Sequence, residues 1–491
     1  FYLISLSPPA LLLSLSVFRR LYISLFPPLS LPISQKHVPN IALLGSGGGE
    51  RAAVGMLGSL HQLVQDNLLG SLLYMCGVSG TTWCMSTLYS DPSLSLSERC
   101  DEVIKRLKGP TVGLSKVVAW LKLRKEQNQD FNLTDFWGAF IASYFMKEVS
   151  IYAHRTIIKP YPIYSGVISD NFPPLFSVGV WFEMTPHESG FSGLGAFVPT
   201  SCLGSQFEGG IVREKRKEMD MVLLQGGECK HHEGIFLVLA SADESKYMVT
   251  TGMKDKVSIT NSWVPDGNVF FITFLSSMIT MEGVCVCVCV CVCVFNMNNL
   301  KLVCVSPPDW WIVQNIFPLV QKWEWGTVYN FLFKIHGTKI HLVDAGLKIN
   351  SPYPPVLRTS REVDLIISLD FSEGDPFETV FSAKQYADEL KLPFPPVKES
   401  VRKEKEHPQD CYVFEGRRPE EPTIMHMPLF NLRNCQGLWE KYTTFQQHYD
   451  VSEIEHLLKK AKDNMRNNRD RILGQILLAV KRRKNRKSVA Q

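Results

Sequence analysis

Outside one run of alternating valine and cysteine, the 491-residue chain has no paired cysteine spacing; it has no solenoid repeat and no large excess of charge of either sign. Each absence excludes something. Cys76, Cys84, Cys100, Cys202, Cys229, Cys304, Cys411 and Cys435 are scattered along the chain, which fits a reducing compartment better than a disulfide framework. A formal net charge of +4 is too small to call for a nucleic-acid partner. The basic character is concentrated at the end. Residues 451–491 carry 12 Lys/Arg against 4 Asp/Glu, a net of +8, which leaves −4 on residues 1–450. With 45% hydrophobic and 20% charged residues the composition is that of a globular chain. The length fits roughly two to four domains, or one large domain with insertions.

Two stretches stand apart. Residues 1–37 are rich in Leu, Ser and Pro, and the first 18 carry no charge. Pro8-Pro9 interrupts the apolar run and Arg19-Arg20 follows it, the reverse of a targeting signal. We expect an extension outside the folded domain. From Val284 to Val294 valine and cysteine alternate. Period two is a strand pattern, and five cysteines on one face invite a soft-metal reading. A TG dinucleotide repeat read in one frame also encodes Cys-Val repeated. We therefore expect residues of about 226–308 to be an insert of non-coding origin. Cys229, His231 and His232 lie within it, at a spacing poor for a metal. No metal site and no cofactor are expected.

From Val38 the pattern changes. HVPNIALL reads as a short buried strand, GSGGGERAA as a glycine-rich turn and AAVGMLGSLHQLVQDNLL as a helix. LLYMCGVSGTTW repeats the scheme. Residues 98–158 read as helices and residues 160–210 as short strands and loops. KIHLVDAG and VDLIISLDFS are further buried strands, and residues 452–480 place Ile454, Leu457, Leu458, Ala461 and Met465 on one helical face. These units predict an α/β fold with a central sheet flanked by helices.

Three motifs carry chemistry. Ser79 stands in Gly77-Val78-Ser79-Gly80-Thr81, at a strand-to-helix junction. A strained turn of this kind thrusts a nucleophilic serine out of the backbone, and a helix N-terminus favours developing negative charge. The glycines stand at −2 and +1, one place away from G-x-S-x-G, and a plain turn serine is the competing reading. Gly45-Ser46-Gly47-Gly48-Gly49 offers N–H groups at a helix start. It fits a phosphate cradle, a dinucleotide turn or an oxyanion hole, and lacks the Lys-Ser/Thr of a P-loop. Arg51 adds a charge able to hold a phosphate bidentately. Asp344, in VDAG, ends a buried strand 265 positions after Ser79. It is either a site residue or a stabiliser of its turn.

Together GSGGGERA, GVSGTTWCMSTLYS and VDAGLKINSPYP closely resemble the group IV cytosolic phospholipases A2. WFEMTPHESG, KWEWGTVYNFLF and VDLIISLDFS look like further blocks in the same order. The resemblance implies a patatin-like α/β catalytic domain over residues 38–480, interrupted by the insert so that its lid region is disrupted, with 481–491 as a basic tail. It implies a Ser–Asp dyad with Ser79 as nucleophile and Asp344 as base, Gly48 and Gly49 as the oxyanion hole, and Arg51 and Arg361 as contacts for the substrate phosphate. His187 is expected to be structural. The implied substrates are glycerophospholipids and lysophospholipids at a membrane surface, with a cytosolic, peripherally bound enzyme. Many members carry a calcium-binding C2 domain, and the approximately 40 residues before GSGGG lack acidic calcium loops. The chain resembles the C2-less type, which implies calcium-independent hydrolysis; a catalytically impaired membrane-binding relative, or a mis-assembled gene model of the family, is the competing reading.

Overall fold

In the computed structural model the described residues run from 37 to 489, without 91–93, 128–130, 150–159, 169–180, 209, 217, 219–310, 313, 316–317, 320–325, 333–336, 435–440 and 443–448. The N-terminal extension up to residue 36 and the whole expected insert, with its Cys-Val run and Cys229, His231 and His232, lie outside them.

Strand β1 (Ile41–Gly45) leads into helix α1 (Gly49–Gln65), and β2 (Tyr74–Gly77) into α2 (Gly80–Leu88). Helices α3 (Leu96–Leu107), α4 (Leu114–Gln127) and α5 (Leu133–Phe140) follow, the last running on as a π-helical turn, Ile141–Phe145. Ser95 and Asn132 start α3 and α5 with reciprocal capping boxes. Then come β3 (Tyr161–Ile168), β4 (Trp181–Met184), β5 (Glu188–Phe191), β6 (Ala196–Pro199) and the hairpin of β7 (Gln206–Glu208) and β8 (Ile211–Glu214). The second part supplies β9 (Thr327–Tyr329), β10 (Lys339–Asp344), β11 (Leu365–Asp370), α6 (Glu378–Leu390), β12 (Tyr412–Phe414), β13 (Thr423–Pro428), α7 (Val451–Asn467) and α8 (Arg469–Val489).

Among the described residues eleven strands form one mixed sheet, in the order β12-β13-β11-β1-β2-β3-β4-β5-β6, with β10 also on β3 and β9 on β10. The five central strands from β13 to β3 are parallel. Their alternation divides the core. Ile41, Leu43, Leu365 and Ile367 point to one face, covered by α1, α2 and α7. Ala42, Leu44, Tyr74, Cys76 and Ile366 point to the other, covered by α6. Parallel strands buried on both faces read as near-continuous apolar runs, as IALL and LIISL do.

The C-terminal helices match the expected periodicity. Ile454, Leu457, Leu458, Ala461 and Met465 of α7 are all buried. The basic tail is a correction. Helix α8 carries on through Val489, and Arg483 is itself buried, donating to the Asp364 carboxylate at 2.7 Å. Arg482 bonds the Thr423 hydroxyl. Ile472, Ile476 and Val480 pack α8 into the core.

Candidate active site

The site grows from two turns at the carboxyl ends of β1 and β2, where an open parallel sheet presents its ligands. Ser79 follows β2 at φ 52°, ψ −125°. A non-glycine residue there is strained, and such strain collects at functional sites. Ser79 stands at the N-cap of α2, yet its side chain makes no capping hydrogen bond. Its hydroxyl is thus left for other chemistry.

The small residues around it have a steric reason. A β-carbon on Gly80 would overlap the carbonyl oxygen of Gly49. Helices α1 and α2 therefore begin in backbone contact, which explains a glycine at +1 rather than +2. The turn from Gly45 to Gly49 folds over Ser79, and a β-carbon on Gly47 would lie 3.0 Å from that of Ser79. Gly48, at φ 143°, adopts a conformation closed to side chains. The N–H groups opening α1 have no intrahelical acceptor, and they add to the positive end of the helix dipole.

Hydrogen bonds fix this turn. Thr81 Oγ1 donates to the Ser46 carbonyl at 2.6 Å, and Ser46 Oγ accepts from Phe371 N–H at 2.7 Å. Gly47 N–H donates to the Asn350 carbonyl at 3.0 Å. The Asn350 amide nitrogen donates to the Gly47 carbonyl at 3.3 Å and to Ser372 Oγ at 2.8 Å. Asn350 was not singled out from the sequence, although it lies within the KINSPYP block. Nothing but the fold sets it beside a glycine 303 positions away.

Asp344 ends β10 and is fully buried. Its Oδ1 accepts from Gly346 N–H at 2.7 Å. The sheet register brings it toward Ser79. Strand β2 runs parallel to β3 and ends with Gly77 opposite Tyr164. Strand β10 runs antiparallel to β3 and ends with Asp344 opposite Gly166. Since β4 occupies the other side of β3 at Gly166, β2 and β10 lie end to end on one side, carboxyl ends converging. A β-carbon on Gly346 would lie 3.6 Å from Val78.

Arg51 and Arg361 are placed differently. Arg51 is buried on α1. Its Nε donates to the Phe371 carbonyl at 2.7 Å, its Nη1 donates to the Tyr442 carbonyl, and Glu373 stands 3.6 Å away. It adjoins the turn, because a β-carbon on Gly48 would lie 2.8 Å from its Nη2. Arg361 is not brought to the turn. It sits over Tyr74, on the opposite face of the sheet from α1, and its two terminal nitrogens grip the Glu183 carboxylate at 2.9 and 2.8 Å. Burial alone would raise the Glu183 carboxyl, but the charges of Arg361 and Arg358 outweigh it and hold the group below its usual range. The expected phosphate contact of Arg361 gives way to a buried ion pair. His187 stacks on Tyr161 and bonds its hydroxyl at 3.0 Å.

Residues 41–227 match the family model described as the lysophospholipase catalytic domain. The cytosolic phospholipase A2 gamma of Homo sapiens is 31% identical over 504 residues, covering 91% of this chain and 91% of that protein. The chain belongs to the cytosolic phospholipase A2 family. The Mus musculus gamma protein is 30% identical over 528 residues, covering 91% of this chain and 87% of its own. Human GIVD cytosolic phospholipase A2 superimposes with a TM-score of 0.72 at 21% identity, over 97% of this chain and 68% of that one. That likeness bears on fold, and it agrees with the α/β catalytic domain expected from the motifs. The family makes the chain a hydrolase of the phospholipase A2 and lysophospholipase class. Among the described residues no helix is long and apolar enough to cross a membrane.

Proposed function

We propose that the chain hydrolyses acyl esters of glycerophospholipids and lysophospholipids through a Ser79–Asp344 dyad, without calcium. The observation that carries this reading is the backbone of Ser79, held at φ 52° with its side chain unused as a cap, where β10 delivers Asp344 from the opposite direction.

In the first step Ser79 Oγ attacks the ester carbonyl and Asp344 takes its proton. The carbonyl oxygen becomes an oxyanion, met by the Gly48 and Gly49 N–H groups. Collapse breaks the ester C–O bond, and the leaving alkoxide of the lysophospholipid takes the proton from Asp344. Water then attacks the acyl-serine, passes its proton to Asp344, and the fatty acid leaves as Ser79 recovers that proton. Every charge that develops is met by this chain's own groups, so no step calls for calcium. Arg51 adjoins the turn and is the group we assign to the substrate phosphate, once the Phe371 and Tyr442 carbonyls release it. The substrates place the enzyme at a membrane surface. Lys481 and Lys484 remain exposed for an anionic one. The catalytic domain in this reading runs past residue 480, through the end of α8.

The test is kinetic. Ser79→Ala and Asp344→Asn should each abolish release of fatty acid with the fold intact, and the double variant should be scarcely worse than either. A folded Ser79→Ala that retained most activity would overturn the reading.

A further inference from the structure

A cavity of about 270 Å³ opens where β11 and β13 end, beside the glycine turn. Drug-sized ligands occupy roughly 300–1,000 Å³, so this space suits a small group rather than an acyl chain. Its lining includes Asp370, Asp375 and Glu406 against the single cation Lys405, with Phe430 as an aromatic wall.

Asp370 is the key group. It is 3% exposed, and both side-chain hydrogen bonds it accepts, from Ser372 N–H at 3.0 Å and Ser372 Oγ at 2.5 Å, fall on Oδ1. Among the described residues no hydrogen bond falls on Oδ2, and the His426 ring nitrogen stands 3.8 Å from it. That ring bonds the Pro376 carbonyl instead, at 2.6 Å, and burial pushes its pKa down, toward the neutral form. Oδ2 keeps its accepting capacity for the cavity that Asp370 lines, where a cationic donor makes the stronger bond. Asp375 is engaged at both oxygens, Oδ1 accepting from Phe377 N–H at 2.8 Å and Oδ2 standing 3.9 Å from the Arg402 guanidinium, so Asp370 is the carboxylate left to the cavity. Lys405 and Glu406 are exposed and lie 3.8 Å apart. The interior is thus acidic with an aromatic side, the combination that recognises organic ammonium groups.

The cavity also touches the reaction centre. Ser372 lines it and holds Asn350, which holds Gly47. Phe430 lines it and lies 6.0 Å from the Arg51 guanidinium. A headgroup amine stands two methylenes beyond its phosphate, so a phosphate at Arg51 has its amine within reach of Phe430. We propose that this cavity takes the ammonium of a choline or ethanolamine headgroup, making Asp370 and Phe430 determinants of headgroup selectivity. The inference rests on the hydrolytic reading above.

The test measures kcat/KM of the full chain on phosphatidylcholine and on phosphatidylglycerol, each in the same neutral detergent micelles. Asp370→Asn keeps the acceptor for Ser372 and removes the charge. It should lower the choline-to-glycerol ratio about tenfold, as loss of a desolvated cation contact does. A merely structural role lowers both rates together, and an unchanged ratio overturns the proposal. Choline chloride titrated calorimetrically into the full chain should bind saturably, and not to Asp370→Asn. Absence of saturable binding to the wild type overturns the proposal even if the variant does not fold. Choline binding with an unchanged ratio would mean a free-amine site and no headgroup subsite. A wild type that hydrolyses neither lipid counts against the hydrolytic reading alone. The titration, which needs no turnover, then decides the cavity.

Discussion

Gly80 sits with its α-carbon against the carbonyl oxygen of Gly49, leaving no room for the first atom of a side chain. The contact joins the starts of the two helices that frame the site, so serine turn and glycine turn are one rigid unit. A methyl group at Gly80 cannot be absorbed by a flexible neighbour, since what it meets is backbone.

Gly80→Ala should therefore push the Gly47–Gly49 turn away from Ser79. We expect a loss of stability of roughly 1–3 kcal/mol, with activity falling further than stability alone explains. Thermal melts and fatty-acid release on the same preparation check this. Wild-type activity with an unchanged melt would show that the contact is not needed.

Glu50 opens α1 beside the turn and is buried, its Oε2 accepting from Tyr449 N–H at 3.0 Å. Burial pushes its pKa from 4.5 up to about 8, against the opposing pull of that N–H and of Lys147. The folded state then keeps a proton that the unfolded state releases. Glu50's contribution is complete below pH 4.5 and is lost as pH rises to about 8, at no more than roughly 1.4 kcal/mol per pH unit. Glu50→Gln retains the acceptor and cannot ionise, so denaturant melts between pH 5 and 8 should lose that slope. An unaltered slope would refute the assignment.

Arg361 holds Glu183 in the core, and removing one partner of a buried pair costs about 3–5 kcal/mol. Arg361→Gln should lower the melting temperature markedly. The KM of the folded fraction should not change. A raised KM at unchanged stability would restore a phosphate contact.

The legible parts of the fold were those with local causes. The runs IALL and LIISLD show buried strands directly, and the spacing of Ile454, Leu457, Leu458, Ala461 and Met465 shows the face of α7. The turn at Ser79 was legible because strain and small neighbours leave a mark in sequence. The meeting of β2 and β10 was not, because it depends on both strands pairing with β3, and Asp344 lies 265 positions after Ser79. Arg361 misled for the same reason. Its partner Glu183 is 178 residues away, and without it a buried arginine looks like a ligand for phosphate. Arg483 looked like part of a tail because its partner Asp364 is 119 residues away.

The Cys-Val run lies outside the described residues, and its prediction rests on sequence alone. An uncharged, β-prone alternation of this length is an aggregation hazard. Deleting Val284–Val294 should raise the soluble fraction on expression, measured by sedimentation of lysate. An equal or lower soluble fraction would argue that the run belongs to the working protein.

The central claim is that Ser79 forms the covalent acyl intermediate with Asp344 as its base. A lipid fluorophosphonate, which phosphonylates an activated serine with loss of fluoride, tests it directly. Peptide mass spectrometry of the treated chain should place the adduct on Ser79. The adduct should be absent from Ser79→Ala and formed far more slowly by folded Asp344→Asn. An adduct on another serine, or none on a chain that hydrolyses phospholipid, would contradict the account.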